Sequence, residues 1–308
     1  MKLCHLIKQY VTLKQSLGFR FRTEQRVLKG FDQAMGRITL GQVRPVAVRT
    51  YLDGSGPVTL YWLRKWGVLR GLYRFARVRG WVRRCPLPLR APKVAAHFTP
   101  YIYSQAELRR LLEAITPERT KGVSPKTVRT LLLLLYGAGL RLGEALKLEP
   151  ADVDVPMRLL HVRQSKFFKS RLVPIGPKLT KVLADYLAER PAGAGTRRHF
   201  LCANKGTPVS RATAERIFRV LRLVAEVKRP TGCRYQPRLH DLRHTMATHC
   251  LVNGYRTGAD VQALLVNLSV YLGHVSLAGT QKYLTITPDL HRQASARFAR
   301  YALGGSHE

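Results

Sequence analysis

Two short stretches near the C-terminus place histidines and arginines at spacings that suit phosphate chemistry. His240 and Arg243 are three residues apart, so on a helix they lie on one face. Further along, His274 is followed nine residues later by Tyr283. A guanidinium can bind two phosphate oxygens at once, and a phenol can attack phosphorus as a nucleophile. These residue types therefore predict phosphodiester chemistry, in which cations hold the phosphate and a tyrosine attacks it.

Two further cationic segments precede these residues. Arg141 lies three residues before Glu144, whose carboxylate is placed either to orient the guanidinium or to help cap a helix. Lys166 and Lys169 lie between two stretches that we predict to be the strands of a hairpin. Alone, each segment is a weak signal, because exposed arginines and lysines are the rule in a basic protein. They carry weight only in combination with the histidines and the tyrosine.

Taken together, these segments resemble the active site of the tyrosine recombinase, or phage-integrase, family. The strongest local match is Arg238-Leu-His-Asp-Leu-Arg-His-Thr. In the hairpin, a lysine after a small residue, a second lysine three positions later and a closing Arg-x-Val-Pro match the family and select Lys166 over Lys169. The matching segments span residues 101–290, whereas residues 1–84 match only in size, helicity and charge. Six residues agree in order and spacing: Arg141, Lys166, His240, Arg243, His274 and Tyr283.

The resemblance implies a site-specific recombinase or integrase that cuts and rejoins DNA strands. Tyr283 would attack a DNA phosphate, forming a 3′-phosphotyrosyl bond and releasing a 5′-hydroxyl. Arg141, Arg243 and His274 would stabilise the charge of the pentavalent phosphate. Because the bond energy is conserved, rejoining needs no ATP. The cluster lacks a carboxylate pair for magnesium, and neither a metal nor a cofactor is implied.

The resemblance assigns the proton transfers to His240 and Lys166. His240 would accept the tyrosine proton or hold a phosphate oxygen, and Lys166 would protonate the departing 5′-oxygen. The alternative for Lys166 is a hairpin-tip lysine that only touches the DNA backbone. The pair Phe167-Phe168 departs from the glycine usually found at this point of the family pattern.

Several neighbouring residues have plainer interpretations. The histidine–arginine segment could simply begin a helix in which Asp241 is well placed for the helix dipole. We expect His244 to point elsewhere on that helix as a packing or hydrogen-bonding residue. Structural roles are also predicted for His249, Cys250 and Tyr271.

The segment between Arg243 and His274 is longer than the common family spacing by about eight residues. The additional residues lie near Tyr255–Leu268, where we predict a longer loop and helix of the kind seen in some transposon-borne members. Such a segment could alter docking between proteins without touching the chemistry.

The charge of the chain points to a polyanionic partner. Its 308 residues include 53 Lys and Arg against 18 Asp and Glu, a formal net charge of +35. The excess is spread along the chain, with 20 basic and 3 acidic residues within 1–100 alone. A solvated basic surface is the plain alternative, but so large a charge repels itself unless a polyanion neutralises it. We therefore expect double-stranded DNA as partner, with binding that weakens steeply with salt.

The pattern of elements predicts a mainly α-helical protein with a small β-sheet. We expect a helical, SAM-like core-binding domain at 1–84, a Pro-rich linker at 85–100 and an α+β catalytic domain at 101–308. A last helix is predicted at Pro288–Tyr301, placed to contact a neighbouring protomer. Five scattered cysteines form no Cys-x-x-Cys pair, and the N-terminus lacks an apolar signal core, so a bacterial cytoplasmic, nucleoid-associated protein is expected.

Three other functions fit part of the sequence. A type IB topoisomerase-like enzyme would use the same chemistry as a monomer, whereas the family acts as a homotetramer or a hetero-tetramer with related recombinases. A DNA-binding accessory protein of a mobile element would keep the fold without activity, but all six positions are intact. A basic RNA-binding protein would explain the charge and leave the motif spacings to chance.

Overall fold

The computed structural model describes residues 1–56, 58–94, 99–163, 170–190, 198–231, 233, 235–273, 278–281, 283, 292 and 295. Within these residues the protein is mostly α-helical with one small sheet, which confirms the predicted fold class. The chain divides into two compact units, Met1–Phe98 and Thr99–Glu308. This division falls within the Pro-rich stretch 85–100.

The first unit is built from helices around one apolar core. They are α1 (Leu3–Ser16), α2 (Arg22–Met35), α3 (Pro45–Asp53) and α4 (Leu60–Val78). The short helix α3 was not predicted. Proline at its first position presets the backbone for a helix, and Val48 and Leu52, one turn apart, supply its buried contacts. The beginning of the Pro-rich stretch belongs to this unit as well, because Leu87 is buried in its core and Trp66 donates a hydrogen bond to the carbonyl of Pro88.

Helix α4 has one apolar face and one cationic face, as its spacing predicts. Arg64, Arg70, Arg74 and Arg77 are exposed. Lys65 is not solvated like the arginines of this helix. It is buried and donates a hydrogen bond to the carbonyl of Tyr51 at 2.5 Å, and the loss of water around it lowers its pKa.

The second unit combines helices with a three-stranded antiparallel sheet. Its helices are α5 (Gln105–Glu113), α6 (Pro125–Gly137), α7 (Leu142–Ala145), α8 (Pro177–Glu189), α9 (Arg211–Val224), α10 (Leu239–Arg256), α11 (Val261–Leu272) and α12 (Ala278–Gln281). Its strands are β1 (Val153–Asp154), β2 (Leu159–Val162) and β3 (Arg171–Pro174), in the order β1-β2-β3. In the β2–β3 hairpin, Leu160 pairs with Val173 and Val162 pairs with Arg171.

Local signals set the helix starts in this unit. The spacing of Ser104 and Glu107 predicts a reciprocal capping box, and the structure has this box at the start of α5. The pair Ser124-Pro125 predicts a helix start, and α6 has Ser124 as its N-cap and Pro125 as its first residue. Tyr103, just before α5, donates a hydrogen bond from its hydroxyl to the carbonyl of Arg238, which positions the start of α10. The elements that carry the candidate site are thus anchored to the unit's core.

Two predicted elements have a different outcome. The sequence predicts a short strand and turn at Phe200–Pro208. The turn is present, with Gly206 at φ 72°, whereas the strand is limited to a single bridge between Cys202 and Pro208. The helix expected at Pro288–Tyr301 lies outside the described residues, apart from Arg292 and Ser295. Among the helices that the structure describes, none has the length and apolar character needed to cross a membrane.

Candidate active site

Arg243 lies at the centre of the candidate site and is almost completely buried, with 1% of its surface exposed. Its guanidinium donates hydrogen bonds to the carbonyls of Gly139 and Leu272, each at 2.5 Å. Loss of water and then the neighbouring charge of Arg141 lower the pKa of Arg243 to about 10, so it remains charged at neutral pH. Helix α10 therefore carries a fixed cation into the site, held between the loop before α7 and the end of α11.

The carboxylate of Glu144 gathers the arginines of the site. It accepts a 2.6 Å hydrogen bond from Arg141 and two hydrogen bonds from Arg171, at 3.2 and 2.9 Å. Arg243 lies 3.8 Å from the same carboxylate. Burial alone would raise the pKa of Glu144, but the bonds and charge of Arg171, followed by the bonds of Arg141, lower it to about 2. Glu144 is therefore an anion at any physiological pH and orients the cations around it.

Arg141 is the cation of this group that reaches solvent. It caps the N-terminus of the short helix α7, and its side chain is 29% exposed. One end of the guanidinium is held by Glu144, and the other donates a hydrogen bond to the carbonyl of Gly273 at 3.1 Å. The side chain is thus fixed in place at the edge of the site, where an incoming phosphate can meet it.

His240 lies one turn before His244 on α10 and is exposed at the edge of the site. The two rings meet edge to face, with centroids 4.8 Å apart. The protein still removes enough water from His240 to lower its pKa, and the charges of Arg243 and Arg238 add to this effect, so that the pKa is about 4. Without DNA, His240 is therefore a neutral imidazole at pH 7.

Tyr283 is buried beside these groups, with 2% of its surface exposed. Its hydroxyl lies 3.1 Å from Nδ1 of His244, and the two rings are 5.5 Å apart. Burial raises the pKa of Tyr283, while the charges of Arg243 and Arg141 and a hydrogen bond from Arg243 act in the opposite direction. The phenol is therefore protonated in this state, and its oxygen already lies within the field of both arginines.

An open cleft of about 640 Å³ adjoins the exposed edge of the site. Arg141 and His240 form part of its wall. The wall also contains four further arginines, Arg211, Arg219, Arg222 and Arg238. A cleft with this lining concentrates polyanions next to Arg141 and His240. Among the residues that the structure describes, no group of three or more His, Cys, Asp or Glu side chains could hold a metal ion.

Four of the six predicted site residues can be placed, and they come together. Arg141, His240, Arg243 and Tyr283 lie on separate segments, apart from the pair on α10, and converge on one location. Lys166 and His274 lie outside the described residues.

Two neighbours of the site were not recognised as part of it. His244 is a hydrogen-bonding residue, as expected, but the expectation that it points away from the site is wrong, because its ring contacts the phenol of Tyr283. Its spacing of four residues from His240 was the available signal. Arg171 had been noted only as the end of the hairpin. A buried salt bridge to Glu144 shows that it organises the site, and nothing in its local sequence signals that contact.

Comparison with known proteins agrees with this geometry. Residues 103–289 match the model of the phage integrase family. The chain is 34% identical over 306 residues to y4rB of Sinorhizobium fredii, a provisionally named integrase/recombinase, with 96% of each chain covered. It is 30% identical over 265 residues to tyrosine recombinase XerA of Thermococcus onnurineus, covering 81% of this chain and 86% of the relative. The solved structure of the Tn1549 transposon integrase with circular intermediate DNA has a TM-score of 0.70 at 16% identity, covering 97% of this chain and 100% of that one.

The chain therefore belongs to the phage integrase family of tyrosine recombinases. It is a DNA strand-transferring enzyme of the site-specific recombinase class, as the six-residue pattern predicted.

Proposed function

We propose that Tyr283 is the nucleophile and that Arg141 and Arg243 hold the scissile phosphate. The observation that carries this proposal is the meeting of segments distant in sequence, which brings both guanidinium groups close enough to act on the phenol of Tyr283. Two fixed cations stabilise the charge that develops on the pentavalent phosphate, and they need no rearrangement as the reaction proceeds. Because Glu144 and backbone carbonyls already orient both arginines, the site is preorganised for phosphate.

The remaining roles follow the family pattern. His240, neutral at the edge of the cleft, is placed to donate a hydrogen bond to a phosphate oxygen. Lys166 is proposed as the general acid for the departing 5′-oxygen, and His274 as a further hydrogen-bond donor to the phosphate. The products of cleavage are a 3′-phosphotyrosyl bond and a free 5′-hydroxyl, and attack by a 5′-hydroxyl reverses the step.

The substrate proposed is double-stranded DNA, bound by the catalytic unit and by the helical unit that precedes it. We propose that residues 85–100 are the linker between the two domains. We also propose that the protein is associated with the bacterial nucleoid. A lambda integrase tetramer bound to a Holliday junction is among the solved structures of similar fold, with a TM-score of 0.66 at 16% identity. By analogy we propose that four protomers exchange strands, as a homotetramer or together with related recombinases.

A covalent-capture experiment tests the nucleophile. Labelled duplexes from the DNA flanking the gene are nicked beside candidate cleavage positions, so that the short fragment with the free 5′-hydroxyl diffuses away and the adduct accumulates. The wild-type protein should form an adduct that survives denaturation, and Tyr283→Phe should form none. Salt-dependent binding of the same duplex should be unchanged in this variant.

Tyr271→Phe is the matched control for that experiment. Tyr271 is the nearest alternative tyrosine in the sequence, but its hydroxyl donates a hydrogen bond to the carbonyl of Pro174 at 3.1 Å. This variant should still form the adduct. An adduct formed by Tyr283→Phe, or lost in Tyr271→Phe alone, would show that the nucleophile is misassigned. The absence of any adduct with wild-type protein would favour an inactive accessory protein.

A further inference from the structure

The imidazole that contacts the hydroxyl of Tyr283 belongs to His244. Nδ1 of His244 lies 3.1 Å from that oxygen. His244 is half-buried on α10, next to Arg243 in sequence and one turn after His240. Helix geometry places the two histidines side by side, so His240 can face the arginine-lined cleft while His244 contacts the phenol.

A protonated phenol has one hydrogen to donate at this contact. Arg243 acts on the phenol through its charge, and a guanidinium can only donate hydrogen bonds, so it offers that hydrogen no acceptor. The phenol's own hydrogen is then available for an acceptor, and Nδ1 of a neutral imidazole accepts one. The tautomer of His244 with its hydrogen on Nε2 lets the phenol donate to Nδ1 over the 3.1 Å contact.

A base at this position serves the reaction. Burial raises the pKa of Tyr283, so the phenol is protonated at neutral pH and must lose its proton as the bond to phosphorus forms. His240, with a pKa of about 4 in this state, is a weak acceptor. Among the residues that the structure describes, His240 from the same helix and Tyr283 from the segment after α12 contact the ring of His244.

We propose that His244 is the general base that takes the phenolic proton of Tyr283, a role that rests on the proposed nucleophile. In cleavage, the bond between the phenolic oxygen and phosphorus forms and the bond from phosphorus to O5′ breaks. The phenolic proton moves to Nδ1 of His244, and O5′ receives a proton from the general acid, for which Lys166 is proposed. In rejoining, the 5′-hydroxyl attacks phosphorus and gives its proton back to the deprotonated general acid, the bond from phosphorus to the phenolic oxygen breaks, and His244 returns its proton to the departing phenolate.

The test compares His244→Ala and His244→Asn with wild-type protein in single-turnover cleavage of the nicked duplex. Asparagine can place an amide oxygen near the position of Nδ1, so it keeps an acceptor for the phenol but cannot take a proton at neutral pH. If His244 is the base, both variants should cleave about 10²- to 10⁴-fold more slowly, with unchanged DNA affinity. Tyr283→Phe defines the background.

Other cleavage rates in these variants would contradict the role of His244 as general base. Cleavage by His244→Asn within about tenfold of wild type would reduce His244 to a positioning residue, and a wild-type rate in His244→Ala would remove it from the reaction. If wild-type protein forms no adduct, the proposed function fails first and this role falls with it.

A measurement on unmutated protein guards against variants that fail to fold. In ¹⁵N-histidine spectra of the DNA-free protein, the signal of His244, recognised by its shift in Tyr283→Phe, should show a neutral ring with the hydrogen on Nε2. A hydrogen on Nδ1 of the neutral ring would overturn the proposal.

Discussion

Arg171 and Glu144 form a buried, two-pronged salt bridge, with nitrogen–oxygen distances of 2.9 and 3.2 Å. The third nitrogen of the guanidinium, Nε, donates a hydrogen bond to the carbonyl of Tyr271 at 3.0 Å. One side chain therefore connects β3, α7 and α11. Because Glu144 also orients Arg141, the position of the arginine proposed to bind phosphate depends on a residue from the hairpin strand.

Replacement of Arg171 by lysine should destabilise the second unit. Lysine cannot donate hydrogen bonds to both carboxylate oxygens of Glu144 and to the carbonyl of Tyr271 at once. The buried charge of Glu144 would therefore keep fewer hydrogen bonds. Loss of one partner of a buried pair costs roughly 3–5 kcal/mol, and we expect Arg171→Lys, which keeps the charge, to fall at or below the lower end of that range. Urea unfolding of this variant measures the loss of unfolding free energy. Its covalent adduct with DNA should also form more slowly than that of the wild-type protein.

Arg211→Lys is the matched control for stability. Arg211 pairs with Glu215 at 3.5 Å in the same unit, but both side chains are largely exposed. Such pairs contribute about 0–1 kcal/mol, so the free energy of unfolding should hardly change. Equal costs at positions 171 and 211 would contradict the structural role of Arg171.

The charge of Glu144 should make stability depend on pH in the acid range. Its pKa is about 2 in the folded protein against 4.5 as the ordinary value, so the unfolded chain takes up a proton first as pH falls. The stabilisation, on the order of 3 kcal/mol, is present above pH about 4.5 and is lost as pH falls towards 2. The difference in unfolding free energy between wild type and Glu144→Gln should therefore shrink over this window. A difference that stays constant would contradict the assignment.

His240 should remain neutral until unusually low pH in the DNA-free protein. The pKa of His240 is about 4 in the folded protein against an ordinary 6.5. The unfolded chain therefore takes up this proton first, and the free energy of unfolding decreases as pH falls from 6.5 to 4. A bound phosphate adds negative charge beside the ring and should raise the pKa. Histidine-selective NMR titration measures both values, and His240→Gln identifies the signal. Titration near 6.5 without DNA would show that neither the loss of water nor the arginines lower the pKa of this ring.

Gly273 should tolerate alanine poorly. Its φ of 63° lies in the left-handed region, and a Cβ would come within 3.1–3.2 Å of the side chain of Arg171, which is held by its own hydrogen bonds. The left-handed backbone alone costs about 1–2 kcal/mol, and the contact with Arg171 adds to it. Thermal or urea unfolding of Gly273→Ala gives the total.

Gly258→Ala isolates the backbone contribution. Gly258 has φ 74° and also follows a helix, but a Cβ there would meet nothing within 4 Å. Its replacement should cost only the backbone strain. If the two variants lose equal stability, Arg171 is free to move and is not the rigid element inferred above.

Much of the fold follows from local patterns in the sequence. Ser104 with Glu107 and Ser124 with Pro125 mark helix starts through hydrogen bonds within a few residues, and these signals were confirmed. The isolated bridge at Cys202 and the short helix α3 were not foreseen. A strand needs a partner strand, and no local pattern shows where in the sequence that partner lies. Helix α3 has nine residues and only two buried positions, too few to show a clear helical period.

By itself, the sequence determined the chemical groups of this protein and the family to which it belongs, because residue types at fixed separations along helices define their relative positions in advance. Only the tertiary structure decided that Arg171 holds the carboxylate of Glu144 and that His244 contacts Tyr283. Those contacts join residues 27 and 39 positions apart. Helix and strand periods specify neighbours a few residues away, whereas contacts at such separations depend on how whole elements pack around a common core.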